Sequence, residues 1–366
     1  MSTNERSWDG SLSHPEGVMH SNCGCFIVPR DVLEELAADE SLSARSRQAL
    51  RDTGALEPVW RQLRTAQIRA AQAGMLFTGA EIANRLASQP ESTVFNCKNT
   101  RSLPGAPVLN PDSSSDETAS RAHRETLAVA DFYARCFGRN SVDNAGMTLV
   151  SSIHYDVHYS NAFWNGTQMT YGDGDGEVFV DFTASTDVIG HELTHGVTQF
   201  TAGLNYTNEA GGLNESVSDV FGTMFRQWRK NQTVDQADWL IGADIIGPKA
   251  AAKGYTCLRD MADPGAQHCL SRQPGHYRDY VPGGDPHTNS GIPNRAFYLA
   301  AKAIGGQSWE KAGKAWYAAL TSPKATPNMK MKSFANLTRS AAKSLFAADT
   351  AVYSAIDAAW EAVGIA

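Results

Sequence analysis

The stretch Asp187-Val-Ile-Gly-His191-Glu192-Leu-Thr-His195-Gly-Val197 decides how this chain is read. Taken as a helix, it carries two histidines at i and i+4. They are separated by about 400° of rotation and roughly 6 Å of rise, so both imidazoles leave the same face. Two neutral imidazoles so placed can share one Zn²⁺ at about 2.0–2.1 Å each. Glu192 follows the first histidine and points elsewhere around the helix. From there a carboxylate can take a proton from a zinc-held water without ligating the ion. On this pentad alone a second reading stands beside the first: an amphipathic core helix with two incidental histidines.

A catalytic zinc needs a third protein ligand and one open position. The segment Ala210-Gly-Gly-Leu-Asn214-Glu215-Ser-Val-Ser-Asp219-Val-Phe-Gly-Thr-Met-Phe225 reads as a second helix behind a Gly-Gly break. Its apolar face is Leu213, Val217, Val220, Phe221 and Met224. Glu215 is the third ligand this pattern offers. Asp219, one turn on, is placed to accept the free ring N–H of a ligand histidine and fix its tautomer. Asn214, beside Glu215, is a second supporting candidate. Reading Glu215 and Asp219 as solvated surface acids explains neither their helical register nor the glycines, which would let two helices approach closely.

With these residues in place, the chain resembles the thermolysin-like neutral metallopeptidases. The matching pieces are Asn161-Ala-Phe-Trp-Asn-Gly166, Tyr171-Gly-Asp-Gly-Asp-Gly176, the two zinc segments, Met261-Ala-Asp-Pro264 and His287-Thr-Asn-Ser-Gly291. They run in the family's order from about Val94 to the C-terminus. Thermolysin is itself a standing example of a His₂Glu catalytic zinc. The resemblance implies that His191, His195 and Glu215 hold the ion and that Glu192 is the general base. It further implies Tyr206 and His287 as stabilisers of the oxyanion, and Asn161, Ala162 and Arg259 as substrate-binding residues. Asn161 and Ala162 would form an edge strand that pairs with the substrate backbone. The family carries an acid five positions before the histidine. Here Pro282 stands at that position, and Asp285 lies two residues before His287.

Composition sets wider bounds. The chain has 366 residues, 42% hydrophobic and 19% charged, and a formal charge of −7. That is ordinary for a globular protein and argues against nucleic acid as a partner. No apolar run approaches the roughly 20 residues that span a bilayer, so no membrane partner is expected. The N-terminal ten residues are polar and lack the apolar core of a Sec leader. An intracellular enzyme, or export by a leaderless route, is expected, although family members are commonly extracellular. The cysteines are too sparse for a disulfide scaffold. Cys257 and Cys269 flank a loop, either pairing in an oxidising compartment or standing as separate thiols.

The expected fold is α+β. A small helical propeptide, residues 1–75, precedes a β-containing N-terminal domain, 76–205, that bears the zinc helix. A mainly helical C-terminal domain, 206–366, faces it across the cleft. Residues 1–22 read as disordered. Helices are expected from Asp31, as N-cap, to about Ala38, then at Ser43–Arg51 and Pro58–Ala73, with a short helical stretch or linker at Glu81–Ala87. The Phe-Ile-Val-Pro run before the first helix resembles the start of the short protealysin-type prosegment, which implies an inhibitory segment lying over the cleft. Cys23 or Cys25 is a possible thiolate for the open zinc position, against the simpler reading of short docking residues. Thr148 to Tyr159 reads as strand. There His154 and His158 would lie about 13 Å apart, too far to share an ion. Asn161–Phe182 reads as a hairpin turned at Gly172–Gly176, which suits a turn better than a calcium loop.

Thermolysins hold paired calcium ions near the second zinc helix. Here Arg226, Leu240 and Ala243 replace the family's acids and only Asp238 remains, so the paired site is expected to be absent. The expected reaction is hydrolysis of internal peptide bonds, on the N-terminal side of large apolar residues, by a self-processing monomeric precursor. The alternative is a catalytically silent zinc-binding homologue acting as an inhibitor or interaction module. The intact Glu192 and the open ligand position weigh against it. A structural zinc site would be closed and usually thiolate-rich.

Overall fold

The computed structural model describes residues 25–72 and 90–366, with backbone only for 64–72. The expectations for residues 1–22, Cys23, the boundary at 75 and Glu81–Ala87 lie outside the described residues.

A six-stranded mixed sheet forms one layer, in the order β1-β5-β6-β4-β2-β3. Its strands are β1 Cys25–Phe26, β2 Ser92–Asn96, β3 Ala106–Pro107, β4 Leu149–Ile153, β5 Ala162–Trp164 and β6 Met169–Tyr171. The hairpin of β5 and β6 differs from expectation. Its turn is Asn165–Gln168, where the Asn165 carboxamide oxygen accepts from the Thr167 and Gln168 amides. Gly172–Gly176 instead folds back over Tyr159 and Phe179. A Cβ on Gly172 would fall 2.0 Å from the Tyr159 carbonyl oxygen, so only glycine fits. Strand β4 ends at Ile153. His154 and His158 both have positive φ, 52° and 55°, in a turn rather than a strand. His154 bridges Asp173 and Asp116, at 2.7 and 3.0 Å.

The helices are α1 Arg30–Ala38, α2 Ala44–Gln72, α3 Glu117–Phe137, α4 Thr186–Gln199, α5 Asn208–Arg229, α6 Pro248–Ala252, α7 Pro286–Ile304, α8 Ala312–Leu320, α9 Met331–Leu345 and α10 Thr350–Ala362. The N-cap of α1 is Pro29; Asp31 sits in the first turn and accepts from the Val32 amide. The two helices expected from Ser43 to Ala73 are one, α2, with Pro58 inside it. Pro58 has no N–H to give to the carbonyl four residues earlier, so α2 lacks one backbone hydrogen bond there.

Helices α4 and α5 pack side by side beneath the sheet. The Gly-Gly pair does not break α5, which starts earlier, at Asn208. Gly211 and Gly212 admit Pro286 and Asn289 of α7. The close approach of α4 and α5 occurs at another pair. A Cβ on Gly190 would lie 3.0 Å from the Gly222 Cα, and one on Gly222 would lie 2.5 Å from the Asp187 carbonyl oxygen. Leu213, Val217, Val220, Phe221 and Met224 are all buried, as their periodicity requires. The result is a β-containing N-terminal region and a helical C-terminal domain, with α4 running along the floor between them.

Candidate active site

Helix α4 is buried along nearly its whole length. That is costly for two histidines and a glutamate unless each polar atom has a partner. The partners come from α5. His191 Nδ1 lies 2.8 Å from Asp219 Oδ1, and His195 Nδ1 lies 2.8 Å from Asn214 Oδ1. Ser218 Oγ, 3.0 Å from the same His195 nitrogen, is a partner that the sequence reading did not single out. With the Nδ1 protons given to these oxygens, both Nε2 lone pairs point inward. They face each other at 2.9 Å, and Glu215 lies 3.4 and 3.5 Å from them. One donor atom from each of the three residues lies within 4.8 Å of the others.

Electron-rich atoms do not converge in a buried space without a positive charge. Glu215 Oε2 and Glu192 Oε1 are buried and have no hydrogen-bond partner among the described residues. If no cation is bound, protons have to stand in for it. Burial opposes a charge on His191, but the Asp219 hydrogen bond and Glu215 raise it to about 9. Burial lowers His195 to about 3. Against its own burial, Glu215 is held well below the usual carboxylate range by His287, His195 and His191. The residues present therefore fit zinc, with its preference for imidazole and carboxylate at short range. Burial pushes the Glu192 carboxyl up to about 8; His191 pulls it down and Glu215 adds to the rise. Its other oxygen accepts from the Trp164 amide of β5 at 2.9 Å.

Around this centre the structure assembles the other candidates. Tyr206 donates its hydroxyl to Glu215 Oε1 and lies 3.3 Å from His287 Nε2. Asp285 meets His287 Nδ1 at 2.6 Å and also accepts the His287 amide. The histidine is thus held by the acid two residues before it, the N-cap of α7. Burial opposes its charge, yet Glu215 and Asp285 raise it to about 9. Arg259 is fully buried and holds Asp219 through two nitrogens, at 2.8 and 2.7 Å. Asn294 holds the same carboxylate at 2.8 Å. It stands seven residues after His287, two helical turns on, so helical period offered a signal for it.

The cleft contains a stretch of the chain itself. Strand β1 pairs antiparallel with β5, Phe26 opposite Phe163. The Ile27 amide donates to the Ala162 carbonyl at 3.2 Å. Asn161 accepts the Val28 amide and donates to the Val28 carbonyl, at 2.9 and 3.0 Å. Arg259 Nη1 reaches the Ile27 carbonyl at 2.9 Å, and His287 Nε2 lies 2.5 Å from the Phe26 carbonyl. Phe26, Ile27 and Val28 are buried. Helix α2 extends the cover, placing Arg61 over the Tyr206 ring at 4.6 Å and Trp60 against Phe163 at 5.1 Å. Cys25 packs on Tyr206 and is disulfide-bonded, so it is not a thiolate available to zinc.

A two-histidine, one-glutamate cation site with a buried carboxylate beside it, on the floor of a cleft that holds an extended peptide, defines a zinc metallopeptidase. The chain belongs to the thermolysin metallopeptidases: their catalytic domain matches residues 78–199 and their α-helical domain residues 202–365. The family is zinc-dependent, and the activity is that of an endopeptidase. An extracellular metalloprotease of Pectobacterium carotovorum subsp. carotovorum is 42% identical over 290 residues, 76% of this chain and 82% of that protein. A thermolysin of Alicyclobacillus acidocaldarius subsp. acidocaldarius is 37% identical over 286 residues, 74% of this chain but 50% of that protein. The precursor of protealysin, a metalloproteinase from Serratia proteamaculans, has a similar structure. Its TM-score is 0.79 at 36% identity, covering 93% of this chain and all of that one. Among the described residues no helix is long and apolar enough to cross a membrane.

Proposed function

We propose that the chain is the latent precursor of an endopeptidase that cuts before large apolar residues, and that residues 1–75 are its inhibitory propeptide. The observation that carries this is the backbone of Phe26–Val28, hydrogen-bonded through the cleft as an extended substrate would be. Adding a strand to a sheet edge is a general way to hold a peptide whatever its sequence. Ile27, whose amide follows the carbonyl at His287, is apolar and buried. That supports the specificity.

His191, His195 and Glu215 would hold one catalytic zinc, with Asp219 and Asn214 orienting the two imidazoles. When bound, zinc supplies a Lewis acid and makes a water acidic enough to ionise near neutral pH. Glu192 takes the proton of the attacking water and returns it to the departing amine. His287 Nε2 and the Tyr206 hydroxyl donate to the carbonyl oxygen as charge grows on it. Asn161, the Ala162 carbonyl and Arg259 fix the peptide in register. A chelator-sensitive digestion of casein by the matured enzyme tests the activity. Refolding with and without residues 1–75 tests the propeptide, and equal yield with equal activity would sink it.

We also propose that no calcium pair is bound beside α5. The Arg226 guanidinium lies among the acids there, 3.2 Å from Asp238, 3.4 Å from Asp244 and 3.7 Å from the buried Asp187, which supports this. A fixed cation there repels another. Tightly held calcium in the purified protein would contradict this.

A further inference from the structure

Away from the cleft floor, two segments run side by side and bring a second set of soft donors together. The Thr256 amide donates to the His268 carbonyl at 3.0 Å, the Leu270 amide to the Cys257 carbonyl at 3.1 Å, and the Ser271 amide to the Leu258 carbonyl at 2.9 Å. Cys257 and Cys269 are partners in a parallel bridge. Both are buried, as free thiols whose sulfurs are 3.4 Å apart. His268 turns its Nδ1 toward them, 3.6 Å from Cys257 Sγ and 2.8 Å from the Thr256 hydroxyl. Its Nε2 faces Asp260 Oδ2 at 3.3 Å. That carboxylate is fixed in turn, since its other oxygen accepts the Ala262 and Asp263 amides.

We infer that Cys257, Cys269 and His268 form a second cation site, built for zinc and separate from the His191–His195–Glu215 centre. The spacing supports it. Zinc takes sulfur at about 2.3 Å and imidazole nitrogen at about 2.0–2.1 Å, so a tetrahedral ion sets its sulfurs about 3.8 Å apart and sulfur to nitrogen about 3.6 Å apart. A disulfide needs its sulfurs at about 2.05 Å, so both would have to swing together, and it would give His268 and Asp260 nothing to do. A carboxylate on the far nitrogen of the ring is the partner that metal-binding histidines commonly have.

Binding exchanges two thiol protons for one Zn²⁺, leaving two thiolates whose charge cancels that of the ion, and two protons pass to solvent. Thr256 then releases the imidazole nitrogen. The bound ion would tie the segment leading into Arg259, the residue that grips Asp219 and the Ile27 carbonyl, to the segment at residues 268–271.

The inference is tested by loading the full chain with cobalt(II). Two equivalents per chain are expected, with a strong thiolate-to-cobalt charge-transfer band that imidazole and carboxylate ligands cannot produce. Cys257→Ser or Cys269→Ser should abolish the band and one equivalent while the other remains. His268 has a side chain 38% exposed, so His268→Ala should fold even where the serine variants do not. It should weaken the second equivalent at least about tenfold. A single equivalent without the band overturns the inference. So does a Cys257–Cys269 pair that reacts with thiol reagents only after reduction.

Discussion

Glu192 shows how much of a site depends on one side chain's surroundings. Its carboxylate is sealed off from solvent and tied to the Trp164 amide by one oxygen only. Glu192→Gln should keep the shape and lose the base. Turnover should fall roughly 10²–10⁴-fold with zinc content unchanged, measured on a peptide substrate beside metal analysis. His287→Ala should cost roughly 10²–10³ by removing one donor. Asp285→Ala should cost no more than that, mostly in kcat, because Asp285 touches the reaction only through the ring it holds and the α7 N-terminus it caps. Normal kcat in Asp285→Ala would show that the ring is fixed by something else. The convergence of His191, His195, Glu215 and Asp219 was legible in the sequence because helical period turns spacing into geometry. The Trp164 amide and the Phe26 carbonyl were not, because backbone groups carry no residue identity. The place of Asp285 was half legible: the acid was visible, its contact with His287 was not.

At the level of the elements, the two zinc helices owe their separation to Gly190 and Gly222, not to the Gly-Gly pair at the start of α5. All four glycines stand in the sequence, but only packing tells which pair faces which neighbour. Gly222→Ala puts a methyl against backbone at the Asp187 carbonyl, where no side chain can give way. It should destabilise the fold by about 1–3 kcal/mol, read from urea unfolding, and lower zinc affinity with it. Unchanged stability would mean that α4 and α5 slide freely. The prediction of two helices flanking Pro58 failed because a proline costs a long helix a bond without ending it, once tertiary packing holds both sides. The hairpin turn was misplaced because Gly-Asp-Gly-Asp-Gly outweighs Asn165–Gln168 as a turn signal by composition alone. Gly172 and Gly174 serve close packing instead, and Gly176 a positive φ of 80°.

Across the whole molecule, the leading segment is held by charge as well as by strand pairing. Asp39 of this segment meets Lys253, and Glu177 of the body accepts the Ser43 amide and pairs with Lys249. The Lys253 contact first, and the Ser43 contact first, hold these carboxyls down to about 2 from ordinary values of 3.8 and 4.5. A depressed carboxyl favours docking fully above its ordinary value and loses that contribution as pH falls through the depressed one. The segment should therefore stay docked at neutral pH and loosen from about 4.5 down to about 2. Hydrogen exchange of residues 25–53 in Glu192→Gln, which cannot cut itself, would follow this. Protection unchanged across that range would show that these two carboxylates do not hold the segment. That the leading segment covers the cleft was legible from Phe-Ile-Val-Pro; how it lies along β5 was not, since strand pairing joins residues far apart in the chain.

One consequence of β1 lying on β5 concerns what the mature enzyme can digest. With the leader removed, as proposed, β5 would be left with a bare rim of amides and carbonyls that only a chain without partners of its own can satisfy. A helix or an internal strand of a native protein has already committed those groups. Unfolded or frayed proteins should therefore be consumed first, and tightly folded ones should persist until they breathe.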